Sequence, residues 1–299
     1  MALVATLVAN PSNPVLTPEI AEQAAGAVNA SGLYWLADGV ACDIALRDGT
    51  DAQAAEANLL AVIASAPIDL VIQEQDSRRK KLLIADMDST MIGQECIDEL
   101  AAEVGLKEKV ADITARAMNG EIAFEPALRE RVALLKGLPL SVVDEVIAKR
   151  ITLTPGGPEL IATMKSKGHY TALVSGGFTV FTSRIAATLG FDENRANTLL
   201  EEAGTLSGFV AEPILGKQAK VDALNEISAS LGISPTEAMA VGDGANDLGM
   251  LQLAGSGVAL HAKPTVAAQA KMRINHADLT ALLYIQGYRK TDFVIRQAS

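Results

Sequence analysis

The sequence predicts an α/β protein: a doubly wound parallel sheet with a helical insertion, preceded by a small α+β ferredoxin-like domain. Two patterns carry this prediction, namely the order of short strands and helices in residues 1–75 and the alternation of strands and helices beyond residue 82. The 299 residues are enough for two cores. With 49% hydrophobic and 20% charged residues, the composition is typical of a compact protein.

Residues 1–75 contain six predicted elements. Thr17 and Pro18 mark the start of the first helix as N-cap and first helical residue, and Asp38-Gly39 marks a hairpin. The predicted order is strand 2–9, helix 17–29, strands 33–36 and 41–47, helix 51–65 and strand 68–73. This β-α-β-β-α-β order is typical of a ferredoxin-like sandwich. The charged residues 76–81 are expected to form a solvated linker.

The remaining sequence predicts a second domain with its core at 82–92 and 154–299. A buried strand at 82–85 is followed by four helices at 95–105, 107–119, 124–135 and 141–150, which place a helical insertion at 93–153. Beyond it we expect helices at 159–167, 178–189, 217–231 and 247–254 and strands at 170–175 and 238–242. Such alternation predicts a parallel sheet covered by helices on both faces.

Composition and charge narrow the classes of partner. The formal net charge of -11 disfavours nucleic acid and anionic membranes, and it requires any phosphate site to carry its own positive charge. The longest apolar runs are too short to cross a bilayer, and the N-terminus lacks the basic residues of a secretory signal, so cytoplasm is expected. Cys42 and Cys96 fall in different predicted domains, which supports neither a disulfide framework nor a zinc site.

The first chemical motif is the pair Asp86 and Asp88, directly after the strand at 82–85. Residues two apart on an extended chain project to the same side, so both carboxylates face one ligand. Two close carboxylates repel, which favours one protonated group unless a cation intervenes. This suits a nucleophile paired with a general acid. A turn or a calcium loop is the alternative, but the apolar strand argues against a turn and the EF-hand spacing is missing.

Two further motifs could bind an anion. Ser175-Gly176-Gly177 leads from a predicted strand into a predicted helix, where a hydroxyl and backbone N–H groups can hold a phosphate. Lys217 and Lys220 lie at the start of another predicted helix. Each signal is weak alone, because such turns and surface lysines are common.

The fourth motif, Gly242-Asp243-Gly244-Ala245-Asn246-Asp247, ends a predicted strand. Its glycines permit a tight turn, and Asp243 and Asp247 can meet a hard divalent cation. A glycine-flanked aspartate in this setting is more specific than either of the preceding motifs.

In this order, the four motifs resemble the signature of the haloacid dehalogenase superfamily, and the flanking residues resemble its phosphoserine phosphatases. The resemblance covers roughly residues 82 to 285. Besides the four motifs, it rests on Glu95, on Ala117-Met118-Asn119-Gly120 and on the run from Phe124 to Val132. It implies that the parallel sheet is of the haloacid dehalogenase type and that the insertion is its mobile cap.

The resemblance also implies catalytic and metal-binding roles. Asp86 would attack phosphorus and become aspartyl-phosphate, while Asp88 would protonate the leaving oxygen and then activate water. Mg²⁺ would be held by the Asp86 carboxylate, the Asp88 backbone carbonyl and Asp243. Asp247 would support the metal shell together with Asn246, which is also counted as substrate-binding.

Substrate contacts are implied in the same way. Ser175, the Gly176 backbone and Lys220, with Lys217 as the fallback, would hold the phosphoryl oxygens and supply the local positive charge. Glu95 would receive a substrate ammonium and Arg131 a carboxylate. Met118 and Phe124 would exclude water. Without the resemblance, Arg131 would be interpreted as a surface residue and Phe124 as part of the cap core.

The implied function is hydrolysis of O-phospho-L-serine to L-serine and phosphate, the last step of serine biosynthesis. Another small phosphomonoester, or transfer to an alcohol, is the alternative within enzymes. A regulatory amino-acid-binding protein is the alternative from another class, which the intact motif set disfavours. Residues 1–75 look similar to ACT domains, with serine sensing and a structural or dimer-forming role both open. A homodimer is an option by family analogy.

Overall fold

The computed structural model describes residues 2–118 and 121–295, with the side chains of residues 115, 117 and 118 left out. Its first part is a four-stranded antiparallel sheet of order β2-β3-β1-β4. The elements are β1 (Leu3–Ala9), α1 (Pro18–Ala27), β2 (Gly32–Ala37), β3 (Ala41–Ala45), α2 (Ala52–Ile63) and β4 (Ile68–Glu74). Thr17 caps α1 and Asp51 caps α2 through their side-chain oxygens. The predicted ferredoxin-like order is confirmed.

The second part is a six-stranded parallel sheet of order β12-β11-β10-β5-β6-β7. Its strands are β5 (Leu82–Ala85), β6 (Tyr170–Phe178), β7 (Glu193–Asn197), β10 (Ala238–Gly242), β11 (Ser256–Leu260) and β12 (Met272–Ile274). β5 and β10 are buried along their whole length, as is typical of strands covered on both faces. Strand order reverses between β5 and β10, which opens a crevice at their carboxyl ends. The predicted α/β fold class is confirmed.

Ten helices accompany this sheet in the described part of the chain. They are α3 (Cys96–Glu103), α4 (Lys107–Met118), α5 (Phe124–Ala133), α6 (Ser141–Arg150), α7 (Gly157–Ser166), α8 (Thr179–Leu189), α9 (Lys217–Ser230), α10 (Leu248–Leu253), α11 (Pro264–Ala267) and α12 (Ala281–Tyr284). Helices α3 to α6 form the insertion, whose two ends are joined by an antiparallel bridge between Ile92 and Leu153. Within the described ranges, every helix is too short or too polar to cross a membrane.

A hairpin of β8 (Leu199–Glu202) and β9 (Thr205–Val210) is an addition to the predicted elements. No element is predicted at residues 190–216, where the structure has β7 and this hairpin, and β11, β12, α11 and α12 are likewise not predicted. The hairpin contacts the insertion: Gly137 donates its N–H to the Leu206 carbonyl at 2.8 Å, and Leu206 donates to the Leu138 carbonyl at 2.9 Å. The insertion is therefore held by the hairpin as well as by its own two ends.

The face of the N-terminal sheet opposite its helices packs on the end of the chain. Val8, Leu36 and Val71 share one apolar cluster with Tyr284 and Ile285. Beside this cluster the buried carboxylate of Asp69 accepts hydrogen bonds from the backbone N–H groups of residues 275, 276 and 277, at 2.8, 3.0 and 2.8 Å. The two sheets are thus joined by apolar packing and by a buried polar anchor.

The prediction that residues 76–81 form a solvated linker is wrong for two cationic side chains, Arg78 and Lys80. Arg78 forms an ion pair with the buried Asp43 at 2.8 Å. Lys80 is 5% exposed and donates to the carbonyls of Ser77 and Thr236 at 2.7 and 3.0 Å. These bonds satisfy a charged group that burial would otherwise penalise, so the stretch is a fixed connection between the sheets.

Candidate active site

Asp86 stands at the carboxyl end of β5, where its N–H continues the ladder to β10 by donating to the Val241 carbonyl at 3.0 Å. Asp86 as a whole residue is 5% exposed. Burial raises the pKa of Asp86 well above its ordinary value, the charge of Asp247 adds to the rise, and Lys220 opposes it. A carboxylate kept here needs positive charge beside it.

Lys220 brings that charge from the fourth residue of α9. Its ammonium lies 2.7 Å from Asp86 Oδ1 and 2.6 Å from Asp247 Oδ1. Burial disfavours the ammonium, but the charges of Asp247 and Asp86 outweigh it and raise the pKa of Lys220. Lys217, the other candidate lysine, is exposed. The structure therefore brings Lys220, and not Lys217, to the carboxylates.

Three carboxylates meet at this edge of the sheet. Oxygen atoms of Asp86, Asp243 and Asp247 all lie within 4.8 Å of one another. Burial, and next the charge of Asp247, raise the pKa of Asp243 to about 6. A Cβ on Gly242 would collide with the Asp247 carboxyl, so the motif needs glycine there. Hard oxygens crowded at this spacing fit a small divalent cation, which would relieve their mutual repulsion.

Asp88 faces the same crevice. Its Oδ1 accepts a hydrogen bond from the Cys96 N–H at 2.9 Å, at the first residue of α3, and its Oδ2 accepts from the Ser175 hydroxyl at 3.4 Å. Burial, and next the charge of Glu95, raise the pKa of Asp88 to about 6. A carboxyl group with this pKa is suited to exchange protons near neutral pH.

The Ser175-Gly176-Gly177 stretch differs from its prediction. All three residues belong to the extended strand β6, and α8 begins only at Thr179. Backbone pairing of Phe178 with Asn197 extends β6 past the glycines. The strand leads into a helix as predicted, but the two glycines lie within the strand and not at the helix N-terminus. Ser175 Oγ accepts from the Gly177 N–H at 2.9 Å, which fixes the hydroxyl beside Asp88.

Glu95 and Arg131 lie on the insertion. Glu95 is exposed and accepts a hydrogen bond from the Ser89 hydroxyl at 2.6 Å. Arg131 is half-buried and donates to the Thr114 hydroxyl at 3.2 Å. Burial lowers the pKa of Arg131, whereas the charges of Asp98 and Glu95 oppose that effect. Glu95 and Arg131 therefore lie near each other, and within the described part of the chain they form no direct ion pair.

Sequence reasoning missed Ser89 and Asp98. Ser89 adopts a left-handed backbone conformation with φ 53°, which has no local sequence signal, and it orients Glu95. Asp98 Oδ1 is buried and has no hydrogen-bond partner within the described residues. Asp98 lies three residues after Glu95, about one helical turn along α3. This spacing could have indicated that the two side chains share one face of the helix.

Phe124 and Asn246 complete the predicted set. The Phe124 ring packs against Gly176 and Gly216, and a Cβ on these glycines would lie 3.6 and 3.5 Å from it. Asn246 is half-buried, with its side-chain oxygen against Gly244. The side chain of Met118, and residues 119 and 120 entirely, lie outside the described residues.

Comparisons with known proteins agree with this geometry. The model of the haloacid dehalogenase-like hydrolase family matches residues 83–252. A probable phosphoserine phosphatase of Schizosaccharomyces pombe is 46% identical over 213 residues, 71% of this chain and 71% of the relative. The phosphoserine phosphatase of Methanocaldococcus jannaschii is 43% identical over 206 residues, 69% of this chain and 97% of the relative.

Similarity to solved structures extends over nearly the whole chain. A haloacid dehalogenase family hydrolase from Salmonella enterica serovar Typhi is 29% identical with a TM-score of 0.84. The match covers 95% of this chain and 98% of that one, so the likeness includes the N-terminal sheet.

Proposed function

The chain belongs to the haloacid dehalogenase-like hydrolase family, and we propose that within this family it is a phosphoserine phosphatase. It hydrolyses the small molecule O-phospho-L-serine to L-serine and phosphate, in serine biosynthesis. The observation that carries the proposal is the buried Asp86 at a strand end, with the Lys220 ammonium 2.7 Å away and two further carboxylates beside it. The relatives named phosphoserine phosphatase support the choice of substrate.

Asp86 is the proposed nucleophile. One of its oxygens forms a bond to phosphorus while the bond from phosphorus to the serine oxygen breaks, and Asp88 gives its proton to that oxygen. Asp88, now a carboxylate, takes a proton from a water molecule that attacks phosphorus and releases phosphate from Asp86. Acid–base assistance of this kind contributes roughly 10²–10⁴-fold in rate. Its raised pKa and its place beside Ser175 suit Asp88 to this role.

We assign Mg²⁺ to the carboxylate cluster. Asp86 and Asp243, with the Asp88 backbone carbonyl, are the proposed ligands, and Asp247 supports them from its ion pair with Lys220. The donor set fits because it consists of hard oxygens crowded together, and burial first, then the charge of Asp247, raise the pKa values of Asp86 and Asp243. When bound, the ion supplies positive charge that favours binding of a phosphoryl group beside these carboxylates.

The remaining site residues are assigned to substrate binding. Ser175, the Gly176 backbone and Lys220 hold the phosphoryl oxygens, and Asn246 is a further substrate-binding residue that also supports the metal shell. On the insertion, Glu95 receives the ammonium and Arg131 the carboxylate, in bidentate fashion. Phe124, packed over two glycines, and Met118 exclude water. The proximity of Glu95 and Arg131 supports recognition of an amino acid that carries both an ammonium and a carboxylate group.

Phosphate release by the purified full-length chain tests this function. The substrates are O-phospho-L-serine, O-phospho-L-threonine and a sugar phosphate, each with and without Mg²⁺. We expect phosphoserine to be preferred, Mg²⁺ to be required and Asp86→Asn to be inactive, with the exposed Asp48→Asn as control. Turnover by Asp86→Asn would refute the covalent route, and equal use of all three substrates would refute the assignments of Glu95 and Arg131.

We further propose a domain division: an ACT-like domain at 1–75, a linker at 76–81, a core at 82–92 and 154–299, and a cap at 93–153. A structural role for residues 1–75 is favoured over serine sensing because one face of their sheet packs on the core. Because L-serine is also the proposed product, its effect on the unfolding temperature is compared between the full-length chain and a chain that begins near Arg79, and equal effects in both would agree with the structural role. Cytoplasmic location and a homodimer stay predictions, the latter testable by light scattering.

A further inference from the structure

Asn197, the last residue of β7, has a buried side chain whose hydrogen-bonding groups are all engaged. It is 2% exposed. Its Nδ2 donates to the carbonyls of Gly176 and Leu215 at 2.9 and 3.1 Å, and its Oδ1 accepts from the Leu215 N–H at 2.7 Å. One amide thus joins three chain segments that are distant in sequence.

Two of these segments carry proposed phosphate-binding groups. Gly176 follows Ser175 at the end of β6. Leu215 precedes Gly216, the N-cap of α9, and α9 carries Lys220 to Asp86. A shift of either segment would move its phosphate-binding group relative to the other, so the amide sets their separation.

The same two segments lie beneath the insertion. The Phe124 ring packs on both Gly176 and Gly216. A Cβ added to these glycines would lie 3.6 and 3.5 Å from the ring. Asn197 ties the backbone on both sides of this contact. The amide therefore fixes the surface on which the insertion rests over the phosphate site.

We propose that Asn197 is a positioning residue for phosphoryl transfer, holding the Ser175–Gly176 backbone and the Lys220 helix at the separation that the transferring phosphoryl group requires. This rests on the proposed function of the site. Only an amide supplies two N–H donors and one acceptor in this plane. An aspartate of the same shape keeps the acceptor but sets a carboxylate oxygen against two carbonyl oxygens, and alanine leaves three backbone groups unpaired.

Steady-state kinetics of Asn197→Asp and Asn197→Ala test the proposal in the full-length chain. With phosphoserine and Mg²⁺ we expect kcat to fall about 10–100-fold with KM changed less than about threefold, because misplacement near 1 Å costs up to about 10² in rate. Inhibition by orthovanadate, which mimics five-coordinate phosphorus, should weaken by a similar factor. Thermal unfolding is measured in parallel, so that rates are compared on folded protein.

Asn194→Ala is the matched control. Asn194 lies on the same strand, but its side chain accepts from the hydroxyl of Thr182 on α8 at 2.8 Å and is not bonded to Gly176 or Leu215 among the described residues, so kcat and vanadate inhibition should stay unchanged. Wild-type kcat in either folded Asn197 variant would overturn the proposal. So would failure of both variants to fold, which would assign Asn197 a structural role.

The proposed substrate can fail separately. If the wild-type chain cleaves p-nitrophenyl phosphate but not phosphoserine, the substrate assignment is wrong. The ratio of variant to wild-type kcat is then measured with p-nitrophenyl phosphate, where the same 10–100-fold loss supports the positioning role and no loss overturns it.

Discussion

The ammonium of Lys220 lies 2.7 Å from the carboxylate of Asp86, with both side chains withdrawn from solvent. Burying either charge alone would cost several kcal/mol, which the opposite charge offsets. The pair places a fixed cation beside a proposed nucleophile in a chain whose net charge is -11. Lys220 offsets part of the negative charge of Asp86 and Asp247, and the proposed Mg²⁺ would supply the rest of the positive charge that a phosphate needs here.

Replacing Lys220 by methionine should abolish this effect. We expect phosphate release to fall about 10²–10³-fold, the loss typical of removing one preorganised electrostatic partner. Unfolding without metal should become easier by about 3–5 kcal/mol, since Asp86 and Asp247 lose their buried counter-charge. Malachite-green assays and denaturant titration measure both effects. The exposed Lys217→Met should change neither, and an equal loss in that variant would contradict the choice of Lys220.

Removing divalent metal should stop turnover and lower stability. A chelator leaves Asp86, Asp243 and Asp247 to repel one another, whereas an ion that binds only the folded state stabilises it by about 2.7 kcal/mol at a hundredfold excess over its Kd. Differential scanning fluorimetry measures this stabilisation as a rise in Tm when Mg²⁺ is added. Asp243→Asn should show a smaller rise than the wild type. An equal rise in both proteins would place the ion elsewhere.

Arg131→Ala should affect the amino-acid part of the substrate selectively. We expect kcat/KM for phosphoserine to fall about 10–100-fold, as for the loss of hydrogen bonds to a charged group. O-Phosphoethanolamine, which lacks the carboxylate, should be cleaved at an unchanged rate. The control is Arg129→Ala, two positions before Arg131, which removes a surface ion pair with Glu212. Equal losses on both substrates would show that Arg131 acts on the phosphoryl group or on folding.

Asp69→Ala should loosen the contact between the two sheets. Three backbone N–H groups lose their acceptor, and water takes over part of this hydrogen bonding. We expect the free energy of unfolding to fall by about 1–3 kcal/mol. Chemical denaturation measures this, and hydrogen exchange should rise at residues 275–277. Asp76→Ala, in the exposed part of the linker, should be neutral. An unchanged free energy in Asp69→Ala would mean that apolar packing alone joins the sheets.

Much of the fold could be predicted because its central strands are apolar runs that end in the motifs. Asp86 follows the strand Leu82–Ala85, and Asp243 follows Ala238–Gly242, so their meeting at one sheet edge follows from parallel topology. β7 has the sequence Glu-Asn-Arg-Ala-Asn, with polar residues at four of five positions, and resembles a loop. Edge position in the sheet tolerates this polarity, and only tertiary pairing with β6 makes the segment a strand.

The supporting residues of the site were beyond sequence reasoning for a related reason. Asn197 bonds to backbone atoms of residues 176 and 215, and no local pattern indicates such partners. Ser89 takes its role from a left-handed φ that serine rarely adopts. Motif residues can be recognised by their spacing in the sequence. Residues that hold the motifs in place bond to backbone atoms distant in sequence, and no spacing indicates them.

The packing of the N-terminal sheet on the end of the chain has a consequence for synthesis. Val8 and Leu36 leave the ribosome early, whereas Tyr284 and Ile285 of the same apolar cluster emerge much later. At about 5–20 residues per second, the apolar face of this sheet waits roughly 14–55 s for its cover. During translation this apolar face is therefore exposed to solvent, and we expect it to be covered only once α12 has been synthesised.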